Sequence, residues 1–174
     1  MNAPIIEPTY VTRGEEMLWG ALLVALTLVI HAIGMVRSMH FCNGFKERFN
    51  RRVTFWSGIS SVIIASWLIT MVHIVEVMMW AGFFQWKHCF VNYSTAVYFS
   101  FLEYTTVGSA FNLPVRWRLL EGMIATAGLI GFAWSCGVLL TLAQEFQDQE
   151  LLRLKQRRVK NTAVNPAKSN QSES

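Results

Sequence analysis

Residues 104–111, with the sequence YTTVGSAF, lie between two long apolar runs and directly follow an aromatic stretch. The apolar runs cover 53–84 and 119–143, and the stretch 96–102 between them is too short to cross a bilayer. Irregular backbone at bilayer depth is tolerated only where protein buries it or where it lines a water-filled cavity. We therefore expect a re-entrant loop at 104–111, preceded by a short half-inserted helix.

The composition of the chain is that of an integral membrane protein. The 174 residues are 53% hydrophobic, their mean hydropathy is +0.34, and the charges are confined to particular segments. The first apolar run, 17–36, has about 20 residues, which at 1.5 Å per residue matches the ~30 Å hydrocarbon thickness of a bilayer. It follows Glu15 and Glu16 rather than a basic region, which favours a spanning helix over a cleaved signal peptide.

Two further runs complete the predicted spans. Residues 53–84 would rise about 48 Å as one helix, so this helix must tilt or protrude from the bilayer, and 119–143 is also long enough to span. The predicted fold is an all-α membrane protein with three transmembrane helices and, between the second and third, a re-entrant helix and loop. The predicted segments are an external N-terminal segment (1–16), a peripheral transmembrane helix (17–36), a basic cytoplasmic loop (37–52), a unit of outer helix, re-entrant helix, loop and inner helix (53–144), and a cytoplasmic tail (145–174) that is disordered after about residue 160.

Basic residues predict the orientation of these spans. The segment 37–52 and the tail after 145 together contain eleven of the 15 Lys and Arg residues. The positive-inside rule places both in the cytoplasm, which puts the N-terminus and 85–118 outside. The net charge of +4 comes from these residues, so it does not indicate nucleic-acid binding. We expect a plasma membrane location, in a bacterial inner membrane, with the C-terminus in the cytoplasm.

The loop resembles the pore loop of the two-transmembrane K⁺ channel superfamily, whose Thr-Val-Gly-Tyr-Gly carbonyls replace the hydration shell of an ion. Thr106, Val107 and Gly108 match that motif, and the resemblance extends over about 53–143. Ser109 stands where the motif has Tyr, and Ala110 stands where it has the second Gly. A Cβ at Ala110 restricts the backbone at a cost of about 1 kcal/mol. The outer rings of oxygen atoms are therefore expected to be looser, with weakened discrimination of K⁺ from Na⁺.

The resemblance implies a passive cation channel that is permeable to K⁺, with no chemical catalysis, no catalytic residues and no bound cofactor or metal beyond the permeating monovalent cation. It implies a homotetramer in membrane lipid, because one loop supplies only one wall of an axial pathway. The resemblance makes 53–144 a pore domain, with the re-entrant helix as a pore helix and a filter-like loop after it. The implied filter consists of Thr105, Thr106, Val107, Gly108, Ser109 and Ala110. A chain that assembles without conducting, as an accessory subunit, is the alternative that the altered outer filter leaves open.

A helix is predicted before the loop, with Asn92, Ser94 and Thr95 as candidates for its N-cap. Its C-terminal end carries about half a negative charge, which would favour a cation at the pore centre. The aromatic side chains that we expect around the loop, or simply in a core stripe, are Tyr98, Phe99, Phe101 and Tyr104. Glu103 either adds to the cation-attracting field or pairs with Arg116 or Arg118.

The third apolar run contains several glycines. In the K⁺ channel superfamily the corresponding helix lines the inner cavity and bends to gate, which makes Gly131 and Gly137 candidates for a hinge. Small residues serve close helix packing equally well. Ser135 is a possible hydroxyl facing the cavity.

His73 and Glu76 lie three residues apart on one helical face, and ionisable groups within a membrane are functional candidates. We expect them to brace the pore helix through Tyr98, Ser100 or Tyr104, or His73 to sense protons. The predicted pore support, distinct from the filter, comprises His73, Glu76, Tyr98, Glu103 and Tyr104.

A small metal or redox protein is the rival class, because His31 and His73 are possible ligands for haem or a transition metal. Counting from the cytoplasmic ends of the apolar runs places His31 about 8 Å deep and His73 about 30 Å deep. This difference in depth predicts that the two cannot share one ion. His88 and Cys89 form a weak metal-binding pair for which a solvated loop is the simpler interpretation, and Cys89 is either a free thiol or pairs between subunits.

Overall fold

The computed structural model describes residues 11–49 and 55–164. These residues form four α-helices and no strand: α1 (Gly14–Phe49), α2 (Phe55–Trp86), α3 (Tyr93–Tyr104) and α4 (Leu119–Val164), with a short 3₁₀ turn at Val115–Trp117. Three stretches are long and apolar enough to cross a membrane, and they are Gly14–Cys42, Ser60–Trp86 and Val115–Lys160. The prediction of an all-helical chain with three candidate spans is therefore confirmed.

The long helices α1 and α2 run antiparallel. Trp80 Nε1 donates to Thr27 Oγ1 at 2.9 Å, and toward the turn between the helices Cys42 Sγ donates to the carbonyl of Ser61 at 3.9 Å. Helix α1 runs parallel to α4, since a Cβ on Gly20 would meet Met123, while His31 lies beside Ser135, further along both helices. Helix α1 packs against both α2 and α4. Its polar residues Glu16, Thr27, His31 and Ser38 are buried by these contacts.

The helices extend further than the apolar runs do. Helix α1 continues through the basic segment as far as Phe49, where a loop was expected from residue 37. Lys and Arg are good helix formers, so basic composition ends the apolar run without ending the helix. Helix α4 likewise continues to Val164, beyond the expected boundary at about 160. The expected N-terminal segment up to residue 10, the loop at 50–54 and the tail from 165 lie outside the described residues.

An aromatic core occupies the end of the bundle that carries α3. Its largest fully buried side chains are Trp80, Phe84, Phe99, Leu120 and Ile124. Phe84 packs against Phe99 with ring centroids 5.5 Å apart, and Phe99 packs against Phe90 at 5.0 Å. This core fixes the first two turns of α3 between α2 and α4, and so determines where α3 ends.

Candidate functional site

Helix α3 buries one face and ends deep in the bundle. The residues Ala96, Phe99, Ser100 and Tyr104 are buried, which is the i, i+3, i+4 spacing of a single helical stripe. Asn92 is the N-cap by its extended backbone, but its side chain makes no capping hydrogen bond. Tyr98 and Phe101 are exposed on the opposite face of α3. The ring of Tyr98 contacts that of Phe111 in the loop, with centroids 6.4 Å apart.

The chain reverses at Thr105–Gly108 through a Schellman-type cap. The N–H of Thr106 donates to the carbonyl of Glu103 at 3.0 Å, and the N–H groups of Val107 and Gly108 donate to the carbonyl of Leu102 at 3.0 and 3.3 Å. Such a cap needs a left-handed residue, usually glycine. Here Thr106 takes that position with φ of 61°, although a β-branched residue with positive φ is rare. The left-handed conformation costs an L-residue about 1–2 kcal/mol, so this turn is strained.

The hydrogen bonds of the turn fix the direction of its carbonyl groups. The N–H of Ser109 donates to Glu103 Oε1 at 2.8 Å, so four successive N–H groups, from Thr106 to Ser109, are directed back toward α3. No cis peptide occurs in the described residues, and the N–H and C=O of a trans peptide point in opposite directions. The carbonyl oxygens of residues 105–108 therefore face away from α3, and all four residues are exposed.

Glu103 has a structural partner within the loop. Its carboxylate accepts the N–H of Ser109, while Arg116 pairs with Glu15 on α1 at 2.5 Å. The ion pair with Arg116, one of the alternatives for Glu103, is therefore not formed. The sequence does not reveal this arrangement, because Glu15 and Arg116 come together only when α1 and α4 align in parallel.

Five polar side chains from all four helices meet behind the end of α3. His31 Nδ1 lies 2.9 Å from Glu76 Oε1, and the hydroxyl of Tyr104 donates to Glu76 Oε2. His73 Nδ1 lies 2.8 Å from the Tyr104 hydroxyl and 3.4 Å from Glu76 Oε2. On the other side, Ser135 Oγ lies 3.0 Å from His73 Nε2 and 3.4 Å from His31 Nε2. We call these five residues the polar cluster.

The polar cluster contains the expected contact of Tyr104 with His73 and Glu76, but it brings together His31 and His73, which were expected to lie apart. Tyr104 does touch His73 and Glu76, as a brace behind α3 requires. The depth argument that kept His31 and His73 apart is wrong, because their ring centroids are 5.1 Å apart. The depths were counted from the ends of the apolar runs, but the helices themselves end elsewhere: α1 ends at Phe49 and α2 begins at Phe55. Each histidine is 18 residues from its helix end, or about 27 Å, so the two lie at one level.

Glycines on α4 make room for this site. A Cβ on Gly128 would overlap the carbonyl oxygen of Tyr104, and one on Gly131 would lie 3.1 Å from the Tyr104 hydroxyl. Gly131 thus serves close packing, the alternative to a hinge. A Cβ on Gly137 would have nothing within 4 Å, so packing among the described residues gives no reason for a glycine there.

A groove of about 470 Å³ runs beside the loop along the outside of the bundle. Its lining includes Phe101, Thr105, Leu129 and Phe132, and the side chains of Phe101, Leu129 and Phe132 are 50%, 57% and 64% exposed. Thr105 and Thr106 of the turn therefore border the same groove as these apolar side chains.

Comparisons with known proteins add no relative to this picture. A scan against protein-family models, a search of curated proteins and a search of solved structures each found no match. The resemblance of the loop to K⁺ channels thus stays a prediction from residues 105–110. A functional inference has to be drawn from the geometry of the loop and of the polar cluster.

Proposed function

We propose that this chain is the subunit of a passive cation channel, in which the carbonyl oxygens after α3 coordinate the permeating ion. The observation that carries the proposal is that four successive N–H groups, from Thr106 to Ser109, are hydrogen-bonded back to α3, which turns the carbonyl groups of residues 105–108 outward. Carbonyl oxygens in such a row can replace the water around a monovalent cation.

The depth of the loop supports a location within the bilayer. Tyr104 contacts Glu76, which is ten residues before the end of α2 at Trp86, or about 15 Å along the helix axis. This is half of the ~30 Å hydrocarbon thickness. Helix α3 would thus enter halfway, and residues 105–114 would return to the side from which it entered. The partial negative charge at its C-terminus would then lie near the ion path.

Assembly around an axis completes the proposed channel. One chain provides one row of carbonyl oxygens, whereas a dehydrated cation needs oxygen atoms all around it. Four chains around a fourfold axis would supply them, and the groove lined by Phe101, Leu129 and Phe132 offers an apolar surface to a neighbouring chain. By the charge rule, the N-terminus and the loop lie outside a bacterial inner membrane and α4 ends in the cytoplasm.

The altered outer filter determines the proposed selectivity. Ser109 lacks the aromatic ring that braces the outer filter in the K⁺ channel superfamily, and Ala110 has a Cβ where a glycine is expected. We therefore propose permeability to K⁺ with reduced preference over Na⁺. The reaction is transport alone, without catalysis.

Ion flux into liposomes containing the purified chain tests this function. K⁺ and Na⁺ gradients are applied in parallel to the wild type, Gly108→Ala and Gly122→Ala. Neither glycine has an atom within 4 Å of an added Cβ, but Gly108 has φ of +79°. Because positive φ costs an L-residue about 1–2 kcal/mol, Gly108→Ala should reduce flux about tenfold, whereas Gly122→Ala should conduct like the wild type.

Each outcome of the flux measurement has one meaning. Similar K⁺ and Na⁺ flux supports a loosened filter, and a strong K⁺ preference contradicts the interpretation of Ser109 and Ala110. Assembled wild-type protein without flux overturns the channel proposal and favours the non-conducting accessory subunit. Equal flux in the two glycine variants would show that the 105–108 turn does not form the ion path.

A further inference from the structure

The polar cluster brings three metal-ligating groups within reach of one ion. One nitrogen each of His31 and His73 and a carboxylate oxygen of Glu76 all lie within 4.8 Å of one another. His31 and Glu76 are fully buried, and the His73 side chain is 21% exposed. The cluster lies behind the end of α3 among α1, α2 and α4, and its His73 and Tyr104 also line the groove beside the loop.

Counting protons shows that hydrogen bonds alone do not satisfy this cluster when both imidazoles are neutral. A carboxylate only accepts hydrogen bonds, so His31 must donate Nδ1–H to Glu76, and Tyr104 must donate its hydroxyl proton. His73 then donates Nδ1–H to the Tyr104 oxygen. Both Nε2 atoms are left as acceptors facing Ser135 Oγ, which has one proton. One buried imidazole nitrogen thus has no donor, and such groups cost about 1–3 kcal/mol.

A metal ion on the Nδ1 side removes this deficit. Each neutral imidazole would use the Nδ1 lone pair for the metal and keep its single proton on Nε2. Both Nε2–H groups would then donate to Ser135 Oγ, whose two lone pairs can accept them. Histidine ligands of metals regularly donate their second N–H to such a partner. Both histidines already direct Nε2 toward Ser135 Oγ, at 3.0 Å for His73 and 3.4 Å for His31.

We propose that His31, His73 and Glu76 bind a divalent first-row transition metal ion such as Zn²⁺ or Fe²⁺, with Ser135 accepting hydrogen bonds from both histidines. Two imidazoles and one carboxylate suit these ions, whereas Ca²⁺ and Mg²⁺ prefer oxygen ligands only. The ligands come from α1 and α2, and the Tyr104 hydroxyl donates to Glu76. A bound ion would therefore fasten α1 to α2 and hold the end of α3, from which the loop begins.

Cobalt binding tests this site without any measurement of ion flux. The full chain is purified in detergent, stripped with a chelator and titrated with Co²⁺, whose visible d–d bands report nitrogen and oxygen ligands, and metal content is measured by mass spectrometry. The wild type should bind one Co²⁺ or one Zn²⁺ ion per chain. His31→Gln and Glu76→Gln should lose the bands and the tightly bound metal. His40→Gln, a change of an exposed histidine on the same helix α1, should retain both.

Several results would overturn the metal site. Folded wild-type protein that takes up no cobalt or zinc overturns it directly, even if the variants do not fold. Retention of the d–d bands by His31→Gln and Glu76→Gln, with native circular dichroism, shows that the metal sits elsewhere. If a protonated histidine is detected in the metal-free wild type and added metal does not change its signal, the cluster binds an extra proton rather than a metal ion. Because a channel can conduct with or without this ion, failure here leaves the proposed channel untouched.

Discussion

Replacing Gly128 with alanine tests whether α4 holds the end of α3 in place. The added Cβ would overlap the carbonyl oxygen of Tyr104 and would lie 2.9 Å from its carbonyl carbon. Carbon atoms in contact are normally about 3.5–4.0 Å apart, and a backbone carbonyl cannot rotate aside as a flexible side chain does. We therefore expect α3 and α4 to separate at this point.

The expected change in the free energy of unfolding combines two destabilising contributions and one stabilising contribution. Overpacking costs about 1–3 kcal/mol, and pulling the Tyr104 hydroxyl away from Glu76 and His73 costs about another 1–3 kcal/mol. Replacing a helical glycine by alanine contributes about 1 kcal/mol in the opposite direction. The net expectation is a free energy of unfolding that falls by about 1–5 kcal/mol. The turn at 105–108 would move with the end of α3.

Denaturant unfolding in detergent, followed by circular dichroism, measures this change. Gly137→Ala is the matched control, since nothing lies within 4 Å of its added Cβ, and it should gain about 1 kcal/mol from helix propensity alone. Gly131→Ala should fall between the two, because its neighbours at 3.1 and 3.4 Å are side-chain atoms of Tyr104 and His31. Equal stability of the Gly128 and Gly137 variants would refute the close approach of α3 to α4.

Two further predictions concern the loops at the same end of the bundle. Thr106→Gly removes the strain of a φ of 61° at a residue with a Cβ, so it should raise the free energy of unfolding by about 1 kcal/mol. Denaturant unfolding measures this value, and an unchanged or lower value would show that Thr106 is unstrained. Burial raises the pKa of the Cys89 thiol from 9.0 to about 11, so the reactive thiolate is scarcer in the folded protein than in the unfolded chain. Iodoacetamide should label Cys89 slowly at pH 7 and faster as the pH rises toward 11, whereas labelling that levels off near pH 9 would contradict the shift.

Helices and their apolar faces can be predicted from the sequence of this protein, because they depend on neighbouring residues. The runs 53–84 and 119–143 are continuous enough to indicate α2 and the first part of α4. The short stretch between them indicates α3, and the spacing of His73 and Glu76 places them on one face. Helix ends are predicted less well, since the basic residues after 37 end the apolar run but continue the helix to Phe49.

The register between helices was decided only by the tertiary structure. His31 meets His73 because the paired helices end at Phe49 and Phe55, and a shift of one helical turn would move the two imidazoles about 5.4 Å apart along the axis. Ser135 joins them because α1 and α4 align in parallel, and Tyr104 reaches them because Gly128 lets α3 approach closely. Hydropathy along the chain is a local property, whereas the contacts among these side chains depend on how four helices pack. The sequence by itself therefore determined an all-helical protein with three apolar helices long enough to span a membrane, and the packing determined the polar cluster.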